Sequence, residues 1–233
     1  MARTKAAGFE AQRGAIRDAA AQLFAEKGYA SASIADIAAA CGVSKALLYH
    51  YYRDKEHLLH DIAESYVERL QAIVEEVRGE ALSPPARMRQ LITRFMHEYE
   101  HSAARHRVLV QDVKYLSRAH RSRIVARQRG VVDGFAQVIG ELAPAAAVSA
   151  LRKPLTMILF GMMNWTFTWF SDRGPLRYDD LAPVVADLFL GGLGRIHAVD
   201  AGTAIAVPVA ARVTAPVAAR RPRTRTQSIK AIA

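Results

Sequence analysis

Four hydrogen-bonding side chains, Ser44, Lys45, Tyr49 and His50, stand within seven positions in the stretch CGVSKALLYHYY, residues 41–52. Their types allow three chemistries: metal ligation through His50, a nucleophile–base pair of Cys41 with His50, or a hydrogen-bonding surface for an external partner. Metal ligation needs further ligands at the right spacing, and no other His or carboxylate supplies one locally. The pair with Cys41 needs both groups on one face, whereas helical phase puts Cys41 on the buried side. The surface reading remains. On a helix opening at Ser44, Lys45 and Tyr49 lie four residues apart, as do Ala46 and His50, so the four share one exposed face. Serine and a helix N-terminus accept phosphate, lysine reaches phosphate or guanine, and tyrosine bonds phosphate or covers a thymine methyl. A face so narrow, mostly small and polar, suits a major groove roughly 12 Å wide.

The elements that hold this face are helical. Ile37, Ala38, Cys41, Val43, Leu48 and Tyr51 fall where a helix-turn-helix buries its residues, Gly42 falls in the turn, and Tyr52 joins the scaffold. Ser33, with Asp36 three residues on, caps the first of the two short helices. Upstream, residues 9–29 carry Ile16, Ala19, Ala20, Leu23 and Phe24 at helical spacing and stop at Gly28. Downstream, helices are predicted over 56–77, 86–101 after Pro84-Pro85, 117–142, 154–170 and 179–198, with short segments over 105–117. In the 117–142 helix, Ile124, Gln128, Val131, Phe135, Val138 and Leu142 form a packing seam. No run alternates with strand period, so the fold class is all-α. Residues 200–233, rich in Ala, Val, Pro, Arg and Thr without helical period, read as a disordered basic tail.

The net charge of +10 points to an anionic partner, usually nucleic acid. Its distribution is uneven: residues 105–130 contribute +7 and residues 201–233 contribute +6, while residues 1–60 contribute only +2. The 105–130 excess lies too far along the chain to serve the Ser44–His50 face. It reads either as a solvated basic face or as the seat of an anionic effector held by Arg107, Lys114, Arg118, Arg121 or Arg127. Residues 154–170 are the most apolar stretch, but they are short for a membrane span of ~20 residues and contain Asn164 and three threonines. With the amphipathic helix that follows, they read as half of a four-helix dimer interface, with Phe160, Trp165 and Trp169 as alternative cavity lining. A single cysteine and a start without an apolar signal region fit the cytoplasm. No Gly-rich phosphate loop, Gly-x-Ser-x-Gly elbow or His-Glu-x-x-His motif occurs, so neither an enzyme, a cofactor nor a metal is expected.

SIADIAAACGVSKALLYHYYRDKEHLL, preceded by AAAQLFAEKGYASA, resembles the N-terminal DNA-binding domain of TetR-family transcriptional repressors. The Phe-x-x-x-Gly-Tyr ending, the turn at Ala40-Cys41-Gly42, Val-Ser-Lys, Leu-Tyr-x-Tyr-Tyr and Asp-Lys-Glu follow the family's order and spacing. Cys41 stands where alanine is usual, Ala46 where glycine or proline is common, Leu47 where threonine is frequent and Tyr52 where phenylalanine is usual. The resemblance implies Ser33, Ser44, Lys45, Tyr49, His50 and Lys55 as DNA contacts, with Ala46 on the same face. It also implies a homodimer with a reading head over 1–55, an effector-binding and dimerising helical body over 56–199, and the tail over 200–233. RHRVLVQDVKYLSRAHRSRIVARQRGVV followed by LFGMMNWTFTWF is similar to family members that sense acyl-CoA or aryl-CoA thioesters. That likeness implies phosphates on Arg107, Lys114, Arg118, Arg121 and Arg127 and an acyl group among Phe160, Asn164, Trp165 and Trp169. The function implied is repression from a palindromic double-stranded operator on the nucleoid, released by the effector. Activation through the same head and non-specific architectural binding through the tail are the alternatives.

Overall fold

The computed structural model describes residues 2–143, 151–170 and 174–196. The expected tail, Pro144 and the last residues of the 179–198 helix lie outside them.

The first helix, α1, spans Ala2–Lys27, seven residues earlier than the predicted start at Phe9. Nothing in ARTKAAG breaks a helix, since it lacks proline and one glycine costs only ~1 kcal/mol. The helix ends at Gly28, whose φ of +81° favours glycine. Ser33 then opens α2, Ile34–Ala40, through a complete capping box. Its hydroxyl accepts the Asp36 N–H at 3.1 Å, and the Asp36 carboxylate accepts the Ser33 N–H at 2.9 Å. A Schellman turn closes α2: Gly42, at φ +64°, donates to Ala39 O, and Val43 donates to Ala38 O. The next helix, α3, covers Lys45–Tyr51, and α4 covers Lys55–Arg78 with Asp54 as its N-cap. At 24 residues α4 is ~36 Å long. It packs on α1 near the two short helices and on the helices that follow.

Those are α5 (Pro84–His101), α6 (Ala103–Gln111), a 3-10 turn (Val113–Tyr115), α7 (Arg118–Leu142), α8 (Arg152–Asn164), α9 (Thr166–Trp169) and α10 (Tyr178–Leu193). The predicted seam of α7 faces the core: Ile124, Val131, Phe135 and Val138 are buried, Gln128 and Leu142 half-buried. Phe135 meets Phe95 and Phe160 edge-on at ring distances of 4.8 and 4.9 Å. A Cβ at Gly134 would collide with Cγ1 of Val74, so this glycine sets how closely α7 approaches α4.

The apolar 154–170 stretch is not one helix. It breaks at Trp165, where Thr168 donates to Trp165 O instead of Asn164 O. Thr166 and Thr168 also turn their hydroxyls back onto Met163 O and Trp165 O, the local bonding that weakens helices at such residues. Among the described residues no helix is long and apolar enough to cross a membrane.

Candidate nucleic-acid interface and ligand chamber

The groove-sized face is built as a rigid ledge. Leu48 anchors α3 from beneath, fully buried, while Ser44, Lys45, Ala46, Tyr49 and His50 are exposed. Ser44 accepts the Leu47 N–H at 3.1 Å, which leaves its hydroxyl hydrogen free for a phosphate oxygen. Tyr49 is 53% exposed, a large aromatic with no core to fill. The far end is pinned by Tyr52, whose buried hydroxyl donates to Asp61 at 2.7 Å while Arg13 reaches the other oxygen at 2.7 Å. Burial and then the adjacent Asp61 carboxylate push the Tyr52 hydroxyl pKa well up, so it stays a donor. A phenylalanine at this position would lack the bond tying α3 to α1 and α4.

Ser33 lies exposed at the N-terminus of α2, beside the ledge in sequence, with its hydroxyl in the capping box. Lys55 also has a place within the head. Its ammonium donates to Tyr29 O at 2.8 Å and Ala32 O at 2.9 Å and sits over the Tyr29 ring, so it closes the α1–α2 loop. Phe9 is the contributor the sequence reading missed. It packs on Tyr51 at 4.6 Å and edge-on to His50 at 6.0 Å, propping the imidazole on the exposed side. Phe9 stood at the start of the predicted helix, but only the packing of α1 on α3 brings it to Tyr51 and His50. Cys41 donates its thiol to Ile16 O, and burial pushes its pKa up, the reverse of an activated nucleophile.

The expected effector residues do not converge. Arg107 donates to Ala25 O at 3.2 Å, joining α6 to α1, and Lys114 lies over Tyr115. Arg118 and Arg121 are exposed on the first turn of α7, and Arg127 pairs with Glu64 and Glu68 at 3.3 and 3.0 Å. Trp165 and Trp169 are 56% and 64% exposed, because the break at Trp165 swings the chain off the helix. Phe160 and Asn164 do meet, in a chamber of about 220 Å³ enclosed by α4 to α8.

Inside the chamber a short polar chain faces otherwise apolar walls. His106 Nε2 lies 3.2 Å from Asn164 O, the carbonyl freed by the helix break, so Nε2 carries the proton. Nδ1 is then the acceptor for the Tyr66 hydroxyl at 3.4 Å. Tyr99 stacks on His106 at 3.9 Å and donates to Asn164 Oδ1 at 2.7 Å. The Asn164 Nδ2 donors have no partner among the described residues. Burial lowers the His106 pKa from 6.5 to about 4, which keeps the ring neutral.

The folded-state value is the depressed one, so stability is complete above pH 6.5 and falls as the unfolded chain alone takes up the proton. Between pH 6.5 and 4 this costs up to about 3 kcal/mol. His106→Phe is therefore expected to lose less melting temperature than wild type on going from pH 7 to pH 5, read by thermal circular dichroism. An equal drop in both would assign the acid sensitivity elsewhere.

A helix-turn-helix with its second helix exposed for the major groove, carried on a helical body, is the build of a DNA-binding transcriptional regulator. Residues 16–62 match the family described as bacterial regulatory proteins, tetR family, and residues 81–193 match the tetracyclin repressor-like C-terminal domain. A TetR-family transcriptional regulator from Bordetella parapertussis 12822 is 35% identical, superposes with a TM-score of 0.74, and is covered over 97% of its chain and 79% of this one. The transcriptional repressor KstR2 of Rhodococcus jostii is 24% identical over 82% of this chain and 95% of its own. AibR, solved with isovaleryl coenzyme A and operator DNA, shares the fold at a TM-score of 0.69 and 24% identity, over 76% of this chain and 97% of that one. The chain belongs to the TetR family, whose members are DNA-binding transcription factors and not enzymes.

Proposed function

We propose that the protein is a homodimeric cytoplasmic repressor whose hold on a palindromic operator is released by a CoA thioester. Its reading head covers residues 1–55, its effector-binding and dimerising body residues 56–199, and its basic tail residues 200–233. Ser44, Lys45, Ala46, Tyr49 and His50 face the groove, with Ser33 flanking them.

One observation carries the ligand-controlled reading: α6 touches both the chamber and the head. His106 and Leu109 line the chamber, while Arg105 pairs with Asp18 and Arg107 bonds Ala25 O, both on α1. A ligand that moves α6 therefore moves α1 and the ledge packed on it, shifting the population between head spacings that fit DNA and those that do not. The size of the chamber favours a short acyl group. A dry cavity of roughly 150 Å³ takes one benzene ring, so about 220 Å³ admits a short or branched acyl chain and excludes a four-ring steroid nucleus. The fold shared with AibR, which binds isovaleryl coenzyme A, agrees with that choice.

Footprinting on the DNA upstream of its own gene is the test. Protection of a pseudo-palindrome at physiological salt, lost on adding isovaleryl-CoA, is the expected result. No protected site would remove the repressor reading, and protection indifferent to CoA thioesters would remove the effector class.

A further inference from the structure

The chamber is not closed. A wider groove of about 620 Å³ lies along α7 and α8, and it shares Gln128, Val132 and Met157 with the chamber, so the two volumes meet at those side chains. Their chemistry is opposite. The groove carries Arg129, Arg152 and Lys153 against one carboxylate, Asp133. None of the three cations forms an ion pair among the described residues, in contrast to Arg127, which is held by two glutamates. The Arg152 guanidinium lies over Gly140, where a Cβ would come within 3.0 Å of it. That glycine seats the cation against α7. From Gln128 to Gly140 is twelve residues of helix, ~18 Å.

We infer that chamber and groove form one bipartite site, its inner end taking a neutral acyl group and its outer end, through Arg129, Arg152 and Lys153, taking a phosphorylated tail. The inference rests on the effector reading above and assigns it residues. No lysine or arginine lines the chamber, so a free carboxylate buried there would meet no cation. A carbonyl masked as a thioester meets that condition, and the Asn164 Nδ2 donors, without a partner among the described residues, can bind its oxygen. The tail's charge stays outside, where guanidinium groups bind phosphate oxygens in pairs. Gln128 stands at the neck, where the linker passes.

Calorimetric titration of the full chain with isovaleryl-CoA separates the possibilities. Wild type is expected to bind, and Arg129→Glu/Lys153→Glu is expected to bind at least tenfold more weakly with unchanged helical circular dichroism, both side chains being exposed. The same charge reversal at Arg118→Glu/Arg121→Glu is expected to leave affinity within twofold of wild type. Equal binding by the groove variant, or equal weakening by both variants, overturns the inference and leaves the effector reading standing. No binding by wild type, to isovaleryl-CoA or to octanoyl-CoA, overturns both.

Discussion

Tyr49→Ala is expected to lose the operator while keeping the fold. Tyr49 makes no hydrogen bond or ring contact within the described residues and is over half exposed, so truncating it removes nothing that holds the head together. A good side-chain contact in the groove discriminates by ~1–3 kcal/mol. A dimer loses two, so specific affinity should fall by ~2–6 kcal/mol, which is about thirtyfold or more. Fluorescence anisotropy with the footprinted operator at fixed salt measures this, with circular dichroism and sedimentation as controls. Lys45→Ala should weaken binding in a different manner. A lost phosphate contact in each half-site lowers the slope of log affinity against log salt by about two per dimer, while the tyrosine change leaves that slope alone. A Tyr49→Ala chain that melts or dissociates would show that its side chain supports the head from within.

The second large effect is expected on the exposed faces of α8 and α10. Ile158 on α8 and Leu188 on α10 are 57% and 64% exposed, with Val184 one turn before Leu188. Apolar side chains of this size on adjacent helices mark an interaction surface, and two helices from each of two subunits would bury it as a four-helix interface. Ile158→Glu/Leu188→Glu places four carboxylates in such an interface, each costing several kcal/mol without a partner. The variant is expected to sediment as a monomer with unchanged helix content. It is also expected to lose specific operator binding, because a single head spans only one half-site. A variant that stays dimeric would put the interface on another face.

How much of this was legible can be judged residue by residue. The turn at Gly42 and the caps at Ser33 and Ser44 follow from short-range rules of backbone and side-chain spacing, and the geometry agrees with each. In the split of residues 41–52 into two faces, Leu48 and Tyr52 are buried while Cys41, Val43 and Tyr51 are only half-buried. Helix ends were less legible. The start of α1 was missed because no cap marks it, and the break at Trp165 was missed because an unbroken apolar run hides it. The bonds of Lys55 to the Tyr29 and Ala32 carbonyls were not legible, because those partners lie 23 to 26 residues earlier, which no local pattern records.

The sequence by itself determined the reading helix, since a short helix must show one face and bury the other, and residue type assigns which. It also determined the all-α class and the seam of α7, both written in helical period. Only the tertiary structure decided which cations are held by other side chains and which, among the described residues, are not. Arg107 and Arg127 look free in a basic run, yet chain elements far apart in sequence bring Ala25, Glu64 and Glu68 to them. Arg129, Arg152 and Lys153, split between two helices, come together on one groove. The reason is physical: charge is a property of the residue, but its availability depends on which neighbours the packed helices bring within a few ångströms.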